Sequence, residues 1–593
     1  MNSKAYIPRA EHPRPQFQRE SWLNLNGVWT FAFDFGQSGA ARDWQKSAGF
    51  EGRITVPFCP ESNLSGVAHT DFIPEIWYQR LVTVPDDWQG RKIIFHCGGI
   101  DYSSEIYVDG VLGGQHTGGS SPIDWDITEL VKPGQEQSLV IRAVDDLRSG
   151  VQAFGKQCPH YKSRGCSYTR TTGIWQTPWL EAVHPSGLQS CRIVPDFDND
   201  AFAFTPRFFE ATRGCRLTVR VSEGGKIVAE ETSAVANGVT RVLTIPGPKP
   251  WSPSSPHLYD VELTVSNASG EVIDRVQSYA GLRKFHIEGD RIYLNNERIY
   301  LRLVLDQGFY PDGIWTAPSD DALRQDIELA MAAGFNGARL HQKVFESRFH
   351  YWADKLGYLT WSEFSDWGIG FWEHFTRKLL DYHHALRDFL AQWTAVVEDK
   401  VNHPSIIAWT PFNETADYKD LEEHRRIMRD VYDLTKALDP TRPVNESSGW
   451  VHAKTDLWTA HNYAEDAAKL KAALDTAPIW CTFPDIELQF YHGQPYLLDE
   501  WGGVRFIPEG TRPFADNSWG YGRTPMTAEQ ALARIRAVQR VLVEHPKVQG
   551  YCYTQLTDIE QEQNGVYNYD RTPKFDMDKV RAIFSDRPAW SRW

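Results

Sequence analysis

The sequence predicts a multidomain protein of three parts: an N-terminal β jelly-roll over 1–185, an immunoglobulin-like β-sandwich over 186–285, and a C-terminal (β/α)8 TIM barrel over 286–593. Three observations carry this. A chain of 593 residues exceeds what one hydrophobic core can organise. Up to about residue 285 the apolar residues fall in short alternating runs broken by turn residues, without helical periodicity. After about 286 the hydrophobic period changes, and strand-like and helix-like segments alternate.

In the first part, Ile93-Ile94-Phe95-His96, Glu105-Ile106-Tyr107-Val108 and Leu139-Val140-Ile141-Arg142 read as strands, and Asp109-Gly110 is a hairpin turn signal. In the second, Leu217-Thr-Val-Arg-Val221 and Tyr259-Asp-Val-Glu-Leu-Thr-Val265 alternate. The Pro-rich stretch Pro246-Gly-Pro-Lys-Pro-Trp-Ser-Pro253 between them reads as irregular. In the third, Ile299-Tyr-Leu-Arg-Leu-Val304 opens the barrel. Ser319 then caps a helix with Leu323, Ile327, Ala330 and Met331 on one face, stopped by Gly334. Further strands are expected at Asn336–Leu340, Leu359–Glu363, Ile406–Trp409, Pro443–Asn445, Leu457–His461, Tyr496–Glu500 and Val548–Tyr553. Helices are expected near 345–356, 374–401 and 419–437.

A formal net charge of −15 disfavours a nucleic-acid partner, which demands clustered Lys and Arg. No apolar run is long enough to span a membrane. The opening Met1-Asn-Ser-Lys-Ala-Tyr6 lacks the apolar core of a secretory signal, which fits a cytoplasmic protein or a mature form whose signal was removed. Eight cysteines form no C-x-x-C pair or zinc spacing; Cys158 and Cys166 could bridge a loop, with free thiols the plainer reading. The 23 Trp, 24 Tyr and 30 Phe supply faces on which sugar rings stack, although most must be core.

Active sites of such barrels lie at the C-terminal ends of the strands. The fourth strand runs into Asn413-Glu414 and the seventh ends in Asp499-Glu500-Trp501, so two carboxylates face each other across the mouth. Glycosidic cleavage needs such a pair, one protonated to release the leaving oxygen and one ionised to attack the anomeric carbon. Each alone could equally be a rim carboxylate. Together they predict a glycoside hydrolase.

Asn402-His-Pro-Ser-Ile-Ile-Ala-Trp-Thr-Pro-Phe-Asn-Glu414 resembles the acid/base signature of glycoside hydrolase family 2, the β-galactosidase, β-glucuronidase and β-mannosidase family. Ala333-Gly-Phe-Asn-Gly-Ala-Arg339 and Leu497-Leu-Asp-Glu500 are similar to its second and seventh barrel strands. Arg14-Pro-Gln-Phe17, Ser21-Trp-Leu-Asn-Leu-Asn-Gly-Val-Trp29, Ile76-Trp-Tyr-Gln-Arg80 and Thr172-Gly-Ile-Trp-Gln-Thr-Pro-Trp-Leu-Glu181 are similar to its sugar-binding domain. The resemblance covers nearly the whole chain. It implies retention through a covalent glycosyl-enzyme and exo action in a pocket. Carried onto matching positions, it makes Glu414 the acid/base, Glu500 the nucleophile and Asn413 the 2-hydroxyl contact, with Arg339 holding the nucleophile's charge. His341, Trp361 and Glu363 are expected to line the substrate pocket with Trp501, and His461 and Tyr463 to end strand six, Tyr463 reaching Glu500. Arg170, from the first domain, is expected to close one side of the pocket or else to pack between domains. Asp558, Glu560 and Glu562 read either as a solvated loop or as sugar contacts, the solvated loop being the expectation.

Where magnesium-dependent relatives carry Glu-x-His after strand three, this chain has Glu363-Phe-Ser-Asp-Trp-Gly, so no metal and no other cofactor is expected. The Asn-x-Lys with which glucuronidases grip a carboxylate does not occur beyond Glu500. The expected activity is therefore β-galactosidase-like on a carbohydrate substrate, in a divergent subgroup. An α-L-arabinofuranosidase or β-galactofuranosidase stays open, as does a homo-oligomer, while a catalytically dead carbohydrate-binding barrel would have lost one of the two carboxylates.

Overall fold

The computed structural model describes residues 7–369, 382–415, 421–510, 514, 516–525 and 527–591. Two antiparallel sheets form the first unit. A six-stranded sheet runs in the order Gly52–Val56, Gly27–Phe33, Glu75–Thr83, Glu136–Val144, Ser103–Val108 and Val111–Thr117; a four-stranded sheet comprises Trp22–Asn24, Pro178–Val183, Lys92–Cys97 and Ile123–Asp126. Their inward residues, among them Trp29, Ile76, Tyr78, Phe95, Ile106 and Ile141, make one core. The Asp109-Gly110 turn joins Val108 to Val111 with both turn residues at positive φ, 48° and 81°, the two-residue turn whose twist suits a hairpin.

The second unit packs a three-stranded sheet (Leu188–Asp196, Ala201–Phe208, Arg241–Thr244) with a four-stranded one (Lys226–Ala234, Arg216–Glu223, Tyr259–Ser266, Val272–Ala280). Alternation places Leu217, Val219 and Val221 opposite Tyr259, Val261, Leu263 and Val265 in its core. The Pro-rich stretch is more ordered than its composition predicts: Trp251–Ser252 pairs with Ser255–Pro256, and Trp251 is buried with its Nε1 donating to Asp354 O at 2.7 Å. An indole that fills the base of the barrel outweighs the prolines around it.

The barrel strands are β1 (Leu301–Asp306), β2 (Gly337–Leu340), β3 (Leu359–Glu363), β4 (Ile406–Thr410), β5 (Ser447–Ser448), β6 (Trp458–Asn462), β7 (Tyr496–Gly502) and β8 (Val548–Thr554). Seven of them form one parallel sheet in the order β4-β3-β2-β1-β8-β7-β6. Strand β5 begins later than expected: Val444 makes only an isolated bridge to Trp409, and the ladder forms between Ser447–Ser448 and Phe412–Asn413. On the other side of β5, the Asn445 side chain donates to Leu457 O and Thr459 Oγ1, both at 3.0 Å. Nearly every barrel-strand residue is buried, as parallel strands covered on both faces require.

Helix α1 (Asp320–Ala332) begins at Ser319, whose side chain accepts from Ala322 N, and buries Leu323, Ile327 and Ala330. Met331, expected on the same face, is instead 36% exposed, because the core-facing arc turns past it. Helices α2 (Ser347–Leu356), α3 (Tyr382–Lys400) and α4 (Leu421–Leu438) follow. The expected helical segment 374–381 and residues 419–420 lie outside the described residues. Among the described residues no helix is long and apolar enough to cross a membrane, and Cys158 and Cys166 are both unpaired thiols.

Candidate active site

Arg339, on β2, is the centre of the barrel mouth and is fully buried. Its guanidinium spends its donors on groups at the ends of three other strands, β3, β4 and β7. Nε donates to Glu363 Oε2 at 2.6 Å, Nη1 to Glu500 Oε1 at 3.0 Å and to Asp499 O at 3.1 Å, and Nη2 to Asn413 Oδ1 at 2.6 Å. Glu363 also accepts from Gln342 N at 3.0 Å and lies 2.9 Å from His341 Nδ1, so neither of its oxygens is left for a ligand. A planar cation with fixed donors sets several carboxylate and amide groups at once, which a lysine could not do. With Oδ1 taken by Arg339, the Asn413 Nδ2 is buried without a partner, a donor still to be satisfied.

Glu414 and Glu500 stand on opposite sides of this cluster with His461 between them. His461 Nδ1 is 2.7 Å from Glu414 Oε1 and 3.5 Å from Glu500 Oε2; its Nε2 is 3.0 Å from Ser448 Oγ and 3.4 Å from Asp499 Oδ1. Burial disfavours charge on His461, but Glu500, Asp499 and Glu414 outweigh it and raise its pKa. Tyr463 donates to Glu500 Oε2 at 2.5 Å, with its ring stacked on Tyr521 at a centroid distance of 3.4 Å. Burial alone would raise the Glu500 pKa; His461, Arg339, His341 and Lys156 reverse that and hold it at about 2. Pairing between β7 and β8 shifts register between Leu498 and Trp501, a bulge that lets successive Asp499 and Glu500 both serve the mouth. Glu414 takes a left-handed backbone, φ 49°, and its N–H donates to Ser448 O at 2.9 Å. A carboxylate oxygen from each acid and a ring nitrogen of His461 lie within 4.8 Å of one another, and among the described residues no other group of side chains has metal-like spacing.

Residues 285–490 match the glycosyl hydrolases family 2 TIM barrel domain, and residues 210–283 match glycosyl hydrolases family 2. The chain belongs to glycoside hydrolase family 2. Family membership makes it an O-glycoside hydrolase. It is 24% identical over 472 residues to a β-glucuronidase of Paenibacillus borealis, across 73% of this chain and 74% of that protein. It is 24% identical over 444 residues to a β-galactosidase of Thermoanaerobacter pseudethanolicus, across 71% of this chain and 54% of the other. The crystal structure of Ruminococcus gnavus β-glucuronidase superposes with a TM-score of 0.80 at 18% identity, covering 98% of this chain and 99% of that one, a likeness of fold.

For this family 2 member the structure brings Glu414, Glu500, Asn413, Arg339, His341, His461 and Tyr463 together at one mouth, with Glu363 behind Arg339 rather than on the pocket wall. His341 touches the cluster through Nε2, 4.0 Å from Glu500 Oε1, and burial, then Lys156 and Arg339, lower its pKa well below the ordinary value. Three expected residues stand elsewhere. Trp361 is buried among Leu303, Leu305, Ile407 and Leu497, its Nε1 donating to Thr410 Oγ1 at 2.7 Å, one side-chain layer below Glu363. Trp501 points outward from β7 and packs edge-on against Tyr551 and Tyr553, as the alternation after Glu500 demands. Arg170 donates to Cys158 O at 3.1 Å, His160 O at 2.6 Å and Thr70 O, and lies over Phe72; it ties loops of its own domain together.

The neighbours of Arg170 do reach the barrel. Tyr168 OH donates to Glu562 Oε2 at 2.5 Å and Thr169 N to Glu560 Oε1 at 3.0 Å, while Asp558 pairs with Lys574 at 2.7 Å. All three acids are buried, so the segment is not a solvated loop: Glu560 and Glu562 clamp the first unit to the barrel, and Asp558 pairs within the barrel. Residues that sequence reasoning missed are Asp499, Ser448, Trp367, Tyr521 and Lys156. Asp499 had a signal, as the neighbour of Glu500 at a strand end; the others had none.

Proposed function

We propose that the chain is a retaining, exo-acting β-glycosidase in which Glu500 is the nucleophile and Glu414 the acid/base. The observation that carries this is the approach of the two carboxylates, with oxygens within 4.8 Å of each other across His461. Retaining enzymes hold their pair about 5–5.5 Å apart, whereas inverting ones need about 6.5–9.5 Å to admit a water. The environments of the two acids also differ. Glu500 is 5% exposed and held ionised by His461 and Arg339, with Tyr463 donating to it; the Glu414 side chain is 18% exposed.

In the first step a Glu500 oxygen forms a bond to the anomeric carbon while the bond to the leaving oxygen breaks, and Glu414 gives that oxygen its proton. In the second, Glu414 takes a proton from water, the water oxygen attacks the anomeric carbon, and Glu500 leaves as the carboxylate. Asn413 Nδ2 donates to the sugar 2-hydroxyl, which satisfies its orphaned hydrogen bond. Exo action is supported by the N-terminal loops about residues 154–156 and 168–169, whose hydrogen bonds to Trp367, Glu562 and Glu560 bring a second unit against the barrel mouth. The β linkage rests on the names of the relatives, which divide between β-glucuronidase and β-galactosidase.

Glu500→Ala tests the assignment: it should abolish turnover of an aryl β-glycoside, and added azide should restore release of the aryl group with an inverted glycosyl azide as product. Glu414→Ala should spare substrates with strongly activated leaving groups and lose activity on alkyl glycosides. Substantial activity in Glu500→Ala, or equal losses on both substrate types in Glu414→Ala, would refute the roles.

A further inference from the structure

Lys156 belongs to the N-terminal unit, yet it sits at the barrel mouth. The loop that carries it is pinned on both sides: Phe154 N donates to Trp367 O at 2.7 Å, Gly155 N to Trp367 O at 3.2 Å, and Tyr168 N to Lys156 O at 2.7 Å. Gly155 makes the approach possible. It holds φ +61°, and a Cβ there would stand 2.3 Å from Gln342 O, so only glycine lets this loop lie against the barrel.

The side chain so delivered is 6% exposed, and its Nζ lies 3.7 Å over the Trp367 ring. Among the described residues that ammonium has no hydrogen-bond acceptor and no ion-pair partner. The carboxylates around it are all engaged. Glu500 has Arg339 and Tyr463, Glu414 has His461, Glu363 has Arg339, and Glu562 has Tyr168 and Asn564. Burial disfavours the charge, but the field of Cys166, Glu414, Glu500 and Glu562 retains it. An ammonium on a nearly buried side chain, with no partner among the described residues, suits an anion supplied from outside.

We propose that Lys156 determines the sugar this enzyme accepts, its ammonium receiving the carboxylate of a β-D-hexuronide whose glycosidic bond lies between Glu414 and Glu500. The proposal rests on the glycosidase reading above and narrows its substrate to uronic acid glycosides. With the Arg339 donors taken by Glu363, Glu500, Asp499 and Asn413, the Lys156 ammonium balances a single negative charge, which suits a uronate and not a phosphorylated sugar. The cation enters from the N-terminal unit, far in sequence from the nucleophile, so the missing Asn-x-Lys beyond Glu500 does not argue against a uronide.

The test compares 4-nitrophenyl β-D-glucuronide with the β-D-glucoside, and the β-D-galacturonide with the β-D-galactoside, pairs that differ only in the carboxylate. Wild-type kcat/KM for at least one uronide should exceed that of its neutral partner by about 100-fold or more. Lys156→Gln should remove most of that preference, chiefly through the uronide KM, lowering uronide kcat/KM at least about tenfold more than that of the neutral partner, while Lys156→Arg should keep part of it. Thermal unfolding of both variants controls for folding, and the wild-type comparison needs no variant. If the wild type prefers the neutral sugar of both pairs and Glu500→Ala abolishes that activity, the glycosidase reading stands and this proposal falls. Equal losses on charged and neutral substrates in a folded Lys156→Gln also overturn it. Hydrolysis of none of the four overturns both.

Discussion

Tyr463→Phe separates the two halves of the proposed reaction. The phenol donates to Glu500 Oε2 at 2.5 Å and lies 3.1 Å from Thr554 Oγ1, while its ring is held by stacking on Tyr521, so removing the hydroxyl leaves the ring in place. Burial and the Glu500 charge raise the Tyr463 pKa well above its ordinary value, so it remains a donor at every working pH. A hydrogen bond to a full charge is worth about 1.5–3 kcal/mol. In the glycosylation step Glu500 starts as an anion and loses charge, so this bond weakens towards the transition state and does not speed that step. In deglycosylation Glu500 starts as a neutral ester and regains charge, so the bond strengthens. With about half the charge developed, roughly 0.8–1.5 kcal/mol is at stake, or about 4–12-fold in rate. Tyr463→Phe should therefore lower kcat by that factor on an activated aryl glycoside and lower KM with it. kcat/KM should hold or rise, and stopped-flow should record a burst of aryl release equal to the enzyme concentration. If kcat/KM falls as far as kcat and no burst appears, Tyr463 does not act on the nucleophile in this way.

Three further outcomes follow from the same geometry. Arg339→Met leaves Glu363 and Glu500 buried without their shared cation and should cost about 3–5 kcal/mol of stability at neutral pH, with loss of nearly all activity. Because Glu500 is held at about 2 against an ordinary 4.5, its share of stability is present above pH 4.5 and is lost as pH falls towards 2. The deficit of Arg339→Met, read by urea unfolding across pH, should thus narrow in acid; a constant deficit would show that Arg339 does not hold the Glu500 charge. Arg170→Ala removes donors from three carbonyls and should cost about 2–3 kcal/mol while leaving KM unchanged, and a raised KM at unchanged Tm would return Arg170 to the pocket wall. Dialysis against EDTA should change the rate less than about twofold, since Glu363 is committed to Arg339 and His341; a large loss restored by magnesium would refute this.

What was legible in the sequence was what short-range pattern encodes. The ends of β4 and β7 are visible as apolar runs that stop at Asn413-Glu414 and Asp499-Glu500, and chemistry then asks for two acids at those ends. The Trp residues beside them misled, because a strand alternates faces and descends by layers. Trp501 follows Glu500 and turns outward, while Trp361 precedes Glu363 by two positions and lies one layer deeper. The run Asp558, Glu560 and Glu562 misled for a different reason: its partners, Lys574 and Tyr168, are set by tertiary approach and leave no mark on local pattern.

Lys156 belongs to this second kind. Nothing about Gly155-Lys156 in a loop signals a barrel 150 residues away, and only the close backbone approach at Gly155 reveals it. The contrast has a physical basis. Bond making and breaking needs groups fixed to a fraction of an ångström, and Arg339, Glu363, Glu414, Glu500 and His461 obtain that from barrel strands buried on both faces. Recognition of the sugar's outer substituents tolerates more variation, and here it falls to a loop from another unit, held by a few backbone hydrogen bonds. Under this division, exchanging the residues around Lys156 should alter which glycoside is accepted while leaving the retained stereochemistry of the product unchanged.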